Sequence, residues 1–144
     1  MQRLSVAVWV LALTIAISAG LVTVAMTGCE PVMGQTPSTV DVSATAADRF
    51  QPEVILVSID DHVRWTNDGT DRHTVTADQA NAAAGGPSST AQYPAGVPAG
   101  ESYEWTVPAS AASGTAWYYH CQFHGAAGDG TTQGAGMAGT ITVR

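Results

Sequence analysis

Four side chains in this sequence could together bind a soft metal ion. Cys121 and His124 lie in one aromatic-rich stretch, and Met137 follows on a glycine-rich segment. They offer a thiolate, an imidazole and a thioether, which are donors that copper prefers. His73, at the edge of a separate predicted strand, supplies a second imidazole. The sequence therefore predicts one mononuclear copper site per chain, with His73, Cys121, His124 and Met137 as its metal ligands.

The cysteines allow one alternative, because an exported protein with two cysteines can form a disulfide. Cys29, however, follows an apolar leader on a predicted linker, whereas Cys121 lies in a strongly patterned strand. A buried cysteine that stays unpaired in an oxidising compartment needs a reason, and metal ligation supplies one. The pattern favours ligation by Cys121 over a Cys29–Cys121 disulfide.

From Thr39 onward the sequence has the pattern of an all-β sandwich. Short runs rich in β-branched and aromatic residues alternate with turn residues, and Val54–Ile59 is a nearly continuous apolar run. The stretch 79–98 is rich in Ala, Gly, Ser and Pro, which predicts a short helix or an ordered flap. Three tryptophans are expected in the core rather than as redox relays: Trp65, Trp105 and Trp117.

Several segments taken together resemble the plastocyanin and azurin family, the cupredoxins. In chain order they are Phe50–Pro52, Val63–Asn67, His73–Val75, Gly100–Tyr103, Tyr119–His124 and Gly136–Thr140. The resemblance covers nearly the whole of residues 39–144. It implies a cupredoxin-like Greek-key β-sandwich over these residues.

The resemblance also implies roles for individual residues. It assigns the copper ligands to His73, Cys121, His124 and Met137, with His124 near the surface as the electron exit. It further implies that Asn67 helps to hold the loop bearing the first histidine.

Two departures from the family pattern are relevant to the site. The segment Gly125–Thr132 is an insertion, and it lengthens the loop between His124 and Met137. The longer loop leaves an alternative in which Met137 only packs in the core. Asp60 stands where similar proteins usually have Gly at a turn, and Asp tolerates the left-handed conformation.

His120, next to the cysteine, raises the possibility of an enzyme. In copper nitrite reductases and multicopper oxidases a histidine in this position reaches a second, catalytic copper. Strand alternation places His120 on the opposite face from Cys121, and only His62 is left as a further histidine. We therefore interpret His120 as a surface or interface histidine and His62 as a solvent-facing one, with a small copper oxidase or nitrite reductase as the alternative.

The first 28 residues predict a lipoprotein-type signal peptide or a membrane anchor. Leu4–Met26 has no charged side chain, and the following Thr-Gly-Cys resembles a bacterial lipoprotein processing site. In that reading Cys29 becomes the lipidated first residue. An uncleaved helical anchor and plain secretion are the alternatives.

Residues 29–38 are predicted to form a flexible tether, since they contain Pro and Gly without apolar periodicity. All three readings of the leader place the 39–144 domain outside the cytoplasm. We expect a membrane-anchored protein in the periplasm or on the outer face of the cytoplasmic membrane.

Charge and composition restrict the partners and the chemistry. The net charge is −7 and lysine is absent, so the basic surface that nucleic acid requires is missing. The acidity could steer the domain towards a basic redox partner, or only keep it soluble. The sequence also offers no general acid–base pair, no activated nucleophile and no phosphate loop.

These observations predict a protein that is not an enzyme. We expect a monomeric one-electron carrier, tethered to a membrane, that shuttles between larger redox proteins such as a c-type cytochrome or a membrane oxidoreductase. A copper-binding or delivery protein is the alternative.

Overall fold

The computed structural model describes residues 35–144. The predicted signal peptide or anchor, the lipidation of Cys29, the Cys29–Cys121 disulfide and most of the 29–38 tether lie outside the described residues. In the part of the chain that is described, no helix is both long and apolar enough to cross a membrane.

Within residues 35–144, eight strands form two four-stranded sheets. The strands are β1 (Thr39–Thr45), β2 (Arg49–Gln51), β3 (Val54–Val57), β4 (His62–Asn67), β5 (Thr76–Ala77), β6 (Ser102–Thr106), β7 (Ala116–Gly125) and β8 (Gly136–Val143). One sheet has the order β2-β1-β4-β6 and the other β3-β8-β7-β5. The β1–β4 and β3–β8 pairs are parallel and the others antiparallel. The predicted all-β sandwich is confirmed.

The core fills the space between the sheets, because alternate residues of each strand face inward. In β4, Val63 and Trp65 are buried while Arg64 between them is exposed. Tyr119 of β7 meets Trp65 edge to face, with ring centroids 5.4 Å apart, so aromatic rings join the two sheets. The three tryptophans expected in the core lie there, the first two fully and the third partly buried: Trp65, Trp117 and Trp105.

Strand β3 is an edge strand, and this explains its unusual exposure. Its apolar run alternates between buried and exposed, with Ile55 and Val57 inside and Val54 and Leu56 each 59% exposed. The run looks like a fully buried strand in sequence. Only its pairing with β8 on one side shows that half of it faces solvent.

The stretch 79–98 contains the predicted short helix, α1 (Gln79–Ala83), and a 3-10 turn at Ser89–Ala91. Asp60 has a φ of 65°, the left-handed conformation that its side chain was expected to tolerate.

Asp61, at the start of β4, organises the end of the sandwich where this strand begins. Its side chain accepts hydrogen bonds from the N–H groups of Ser38 at 2.8 Å and Ser58 at 2.7 Å. Burial would raise the pKa of Asp61, but these hydrogen bonds and the charge of Arg144 lower it below 3.8. The buried carboxylate thus holds the chain before β1 and the β3–β4 connection together.

Candidate metal centre

His73, Cys121 and His124 converge at the end of the sandwich where β4 finishes. The Nδ1 atoms of His73 and His124 lie 3.1 Å apart. The Sγ atom of Cys121 lies 3.8 Å from Nδ1 of His73 and 3.6 Å from Nδ1 of His124. The fold therefore brings a sulfur and two ring nitrogens together, although 48 residues separate His73 from Cys121.

Asn67, the last residue of β4, holds the loop that carries His73. Its Nδ2 group donates to the carbonyls of Asp71 at 2.7 Å and Val97 at 2.9 Å, and its Oδ1 accepts from the N–H of Gly69 at 3.0 Å. Val97 in turn donates its N–H to the carbonyl of His73 at 2.7 Å. These bonds confirm that Asn67 pins this loop.

Strand β7 carries the other two donors at the point where its pairing with β8 becomes irregular, between His120 and Gly125. Cys121 is fully buried, whereas the His124 side chain is 25% exposed. Thr74 joins the histidine loop to this strand. Its N–H lies 3.4 Å from the Cys121 sulfur, and its hydroxyl accepts from the N–H of Gln122 at 2.8 Å.

Met137 is fully buried and belongs to the same apolar cluster as Cys121. Gly125 pairs with Gly136, so the residue after His124 meets the residue before Met137. A Cβ atom on Gly125 would lie only 2.4 Å from the Met137 carbonyl, which is why glycine stands there. The fold thus brings the Met137 backbone close to His124, and the ligand role of its sulfur stays a prediction.

The electrostatics of the cluster favour a neutral, metal-binding imidazole at His73. Burial and the neighbouring His124 lower the pKa of His73, and Asp48 and Asp71 only partly oppose this. Neutral imidazole is the form that binds metals. The Nε2 atom of His73 is buried and has no hydrogen-bond partner within residues 35–144.

The chemistry of the donors fits a soft metal ion. In the metal-free cluster one Nδ1–H can donate to the other Nδ1, so the case for a metal rests on the types of the three donor atoms and on their convergence. Thiolate and imidazole donors suit both zinc and copper, whereas a thioether is typical of copper sites. Met137 is therefore the residue that distinguishes the two metals.

The remaining histidines lie apart from this cluster. Within residues 35–144, neither His62 nor His120 belongs to a group of three His, Cys, Asp or Glu side chains able to hold a metal. His62 is 38% exposed beside Glu104, as expected for a solvent-facing residue. His120 was expected at the surface or at an interface; its side chain is 12% exposed and lies 2.8 Å from the buried carboxylate of Asp78.

Comparison with protein-family models and with curated proteins found no match. Solved structures of cupredoxins are similar to the chain. A purple cupredoxin from Nitrosopumilus maritimus is 17% identical, with 73% of this chain and 99% of that chain covered and a TM-score of 0.47. A mutant plastocyanin of fern, known in oxidised and reduced structures, is 20% identical, with coverages of 73% and 100% and a TM-score of 0.46.

A copper-containing nitrite reductase from Thermus scotoductus is also similar, at 18% identity and a TM-score of 0.46. The match covers 76% of this chain but only 22% of the reductase. Because these TM-scores lie below 0.5, the fold class of this chain rests on its own strands and sheets. The sequence resembles the cupredoxins, and the purple cupredoxin and the plastocyanin described above belong to the same class of proteins.

Proposed function

We propose that the protein is a one-electron carrier with a single blue copper site formed by His73, Cys121, His124 and Met137. The observation that supports this most strongly is the convergence of the cysteine sulfur and two imidazole nitrogens within 3.1 to 3.8 Å of one another. Copper, when bound, supplies the exchange of one electron between Cu(I) and Cu(II).

The protein's part is to keep the donors in place in both oxidation states. His73 is held through the Asn67 loop, and Cys121 directly follows His120, which pairs with both β5 and β8. Rigid donors reduce the reorganisation that accompanies each transfer, since the surrounding structure does not have to rearrange. Fast transfer follows from this rigidity.

His124 is the proposed route for the electron to the surface. Its side chain is 25% exposed, whereas His73 and Cys121 are buried. The adjacent Phe123 is 54% exposed, so an apolar ring stands beside the imidazole where a partner would make contact. The exposed edge of this histidine gives the shortest path between the site and a docked protein.

A small copper oxidase or nitrite reductase is the less favoured function. Such an enzyme needs a second metal at His120, and within residues 35–144 no group of three potential metal ligands includes this histidine. One copper per chain, with no turnover of nitrite or phenols, is the result expected for a carrier.

Copper delivery is the other candidate, and it requires ready release of the metal. The buried Cys121 and His73 favour retention, because two of the donors are shielded from competing ligands. Rapid loss of copper to a chelator would favour delivery over electron transfer.

We further propose that the domain is tethered outside the cytoplasm, through lipid on Cys29 or through an uncleaved helix, and passes electrons between larger redox proteins. The apolar leader and the following Thr-Gly-Cys support this proposal. The net charge of −7 favours partners with a basic docking surface. Labelling of the intact protein by a radioactive fatty acid in bacteria, and loss of the label in Cys29→Ala, tests the lipid anchor.

The electron-transfer function is tested by redox cycling. The copper-loaded protein should be reduced by ascorbate and reoxidised by ferricyanide repeatedly, with full recovery of its visible spectrum. Copper that cannot be cycled, or that leaves the protein on reduction, contradicts the proposal.

A further inference from the structure

The inserted loop between His124 and Met137 is fastened to the sandwich through one buried side chain. Asp78, between β5 and α1, is 1% exposed. Its Oδ1 atom lies 2.8 Å from Nδ1 of His120 in β7, and its Oδ2 accepts from the N–H of Gly128 in the loop at 2.8 Å. An ionised carboxylate only accepts hydrogen bonds, so the imidazole proton lies on Nδ1.

The backbone of Asp78 strengthens this arrangement. Its N–H donates to the carbonyl of Tyr118 at 2.9 Å, and its own carbonyl accepts from the N–H of Ala82 at 2.8 Å. Asp78 is thus fixed to β7 and to α1 before its side chain reaches the loop. Because its backbone is held by β7 and α1, the Asp78 carboxylate can fix the position of the loop.

The two side-chain bonds act close to the predicted ligands. His120 precedes Cys121 and pairs across the sheet with Ala138, which follows Met137. Gly128 lies in the segment that runs from His124 to Met137. One carboxylate therefore links the strand that carries the cysteine with the loop that ends at the methionine.

Gln133, just after the inserted segment Gly125–Thr132, bonds to Glu53 and accepts from the Thr140 hydroxyl at 2.7 Å. Within the inserted segment itself, the side-chain hydrogen bonds other than that of Asp78 are internal or longer. Asp129 accepts hydrogen bonds only from Thr131 and Thr132 within the loop, and these bonds hold its pKa far below the usual value. The bond from Asn81 to the Gly130 carbonyl is long, at 3.5 Å. Asp78 provides the shorter attachment to the sandwich.

We propose that Asp78 is a positioning residue for the metal centre: by joining His120 of β7 to Gly128, it fixes the inserted loop and hence the placement of Met137 relative to Cys121 and His124. The inference rests on the proposed function where it concerns copper. Its statement about the loop applies equally to the metal-free protein.

Asp78→Asn tests this role, with Asp61→Asn as the matched control. Asparagine keeps the size of the side chain but has an NH2 donor in place of one acceptor oxygen, which can bond to Nδ1 of His120 if the imidazole proton moves to Nε2; Asp78→Ala, which removes both bonds, is therefore measured beside it. Asp61 is an equally buried carboxylate whose two oxygens also both accept hydrogen bonds, in its case from two backbone N–H groups, and it lies at the end of β4 away from the metal centre. All three variants should be less stable, and only the two at Asp78 should affect the loop.

The first measurement is amide hydrogen exchange of the metal-free proteins, under conditions where the β4 amides stay protected. We expect the Gly128 amide to exchange on the order of tenfold faster in Asp78→Asn, and at an unchanged rate in Asp61→Asn. Equal exchange in wild type, Asp78→Asn and Asp78→Ala would overturn the proposal. If neither Asp78 variant folds, His120→Ala frees the carboxylate on the β7 side, and Gly128 should then exchange faster than in the wild type; an unchanged rate would overturn the proposal.

The second measurement is the visible and electron paramagnetic resonance spectrum of the copper-loaded proteins. Asp78→Asn should shift the band intensities and the copper hyperfine splitting, while Asp61→Asn should match the wild type. An Asp78→Asn spectrum identical to that of the wild type would overturn the role of Asp78 at the metal centre. A wild-type protein without a blue spectrum would instead contradict the proposed function, and the exchange experiment would still test the loop.

Discussion

The two ends of strand β4 treat buried polar groups in opposite ways. Before β4, both carboxylate oxygens of Asp61 accept hydrogen bonds from backbone N–H groups, so the cluster is complete. After β4, the Nδ1 atoms of His73 and His124 face each other at 3.1 Å, and Nε2 of His73 has no partner in the described residues. The polar groups at the Asp61 end are paired with backbone N–H groups, whereas the three donors at the His73 end converge on one another and can take a metal ion.

The largest effect is expected from Cys121→Ser, which removes the sulfur from the donor cluster that Cys121 forms with His73 and His124. The intense thiolate-to-copper absorption should disappear entirely, because a hydroxyl cannot replace the thiolate in that transition. The metal-free variant should stay folded and lose no more than about 2 kcal/mol of unfolding free energy, as expected for burying a single hydroxyl. Visible absorption and thermal unfolding measure the two effects, and a variant that stays blue would contradict the assignment.

Asp61→Asn, at the start of β4, should instead reduce stability and leave the copper spectrum unchanged. Loss of one hydrogen bond to a buried carboxylate should lower the unfolding free energy by about 2 kcal/mol, since an N–H group is left without its acceptor. The spectrum of the copper-loaded variant should not change. A spectral change would mean that the two ends of β4 are coupled, and the contrast drawn between them would fail.

The two ends of β4 should affect stability in different ranges of pH. His73 has a lowered pKa when folded, so the unfolded chain binds more protons and metal-free stability should fall as the pH drops below about 6.5. The contribution of Asp61, whose pKa is also lowered, is present above about 3.8 and lost only below that pH. Urea unfolding of wild type and His73→Gln between pH 7.5 and 5 should show a smaller loss in the variant. Equal losses would contradict the role of burial at His73.

The smallest structural effect is expected from Met137→Leu. The two side chains have similar volumes, so unfolding free energy should change by less than about 1.5 kcal/mol. The blue colour should remain, and the reduction potential should rise because a weak donor to Cu(II) is lost. Protein-film voltammetry gives the potential; if potential and spectrum both stay unchanged, the axial ligand must be another residue.

Local patterns in the sequence were enough to predict the donors. Cys121 and His124 lie in one strand, and His73 opens a recognisable loop, so their types and spacing indicate the metal chemistry. The strand pattern likewise predicted the sandwich. What it could not show is that Val54 and Leu56 face solvent, because exposure depends on β3 lying at the edge of its sheet.

Contacts between segments far apart in the sequence were also missed, because they depend on the folded arrangement of the chain. Asp61 accepts a hydrogen bond from Ser38, 23 positions away, and the local sequence does not indicate this contact. Asp78 and His120 are 42 positions apart, and no local signal links a carboxylate after β5 to a histidine in β7. His120 was predicted as a surface or interface histidine, and its bond to a buried carboxylate was missed because only the folded chain brings this partner to it.

The central claim is that the three converging donors and Met137 form a blue copper site. The most direct test is the visible and electron paramagnetic resonance spectrum of the soluble fragment of residues 30–144 after addition of one equivalent of Cu(II). Intense thiolate-to-copper absorption with a narrow copper hyperfine splitting is the predicted result. A pale protein with ordinary copper parameters would contradict the claim and favour copper binding without electron transfer.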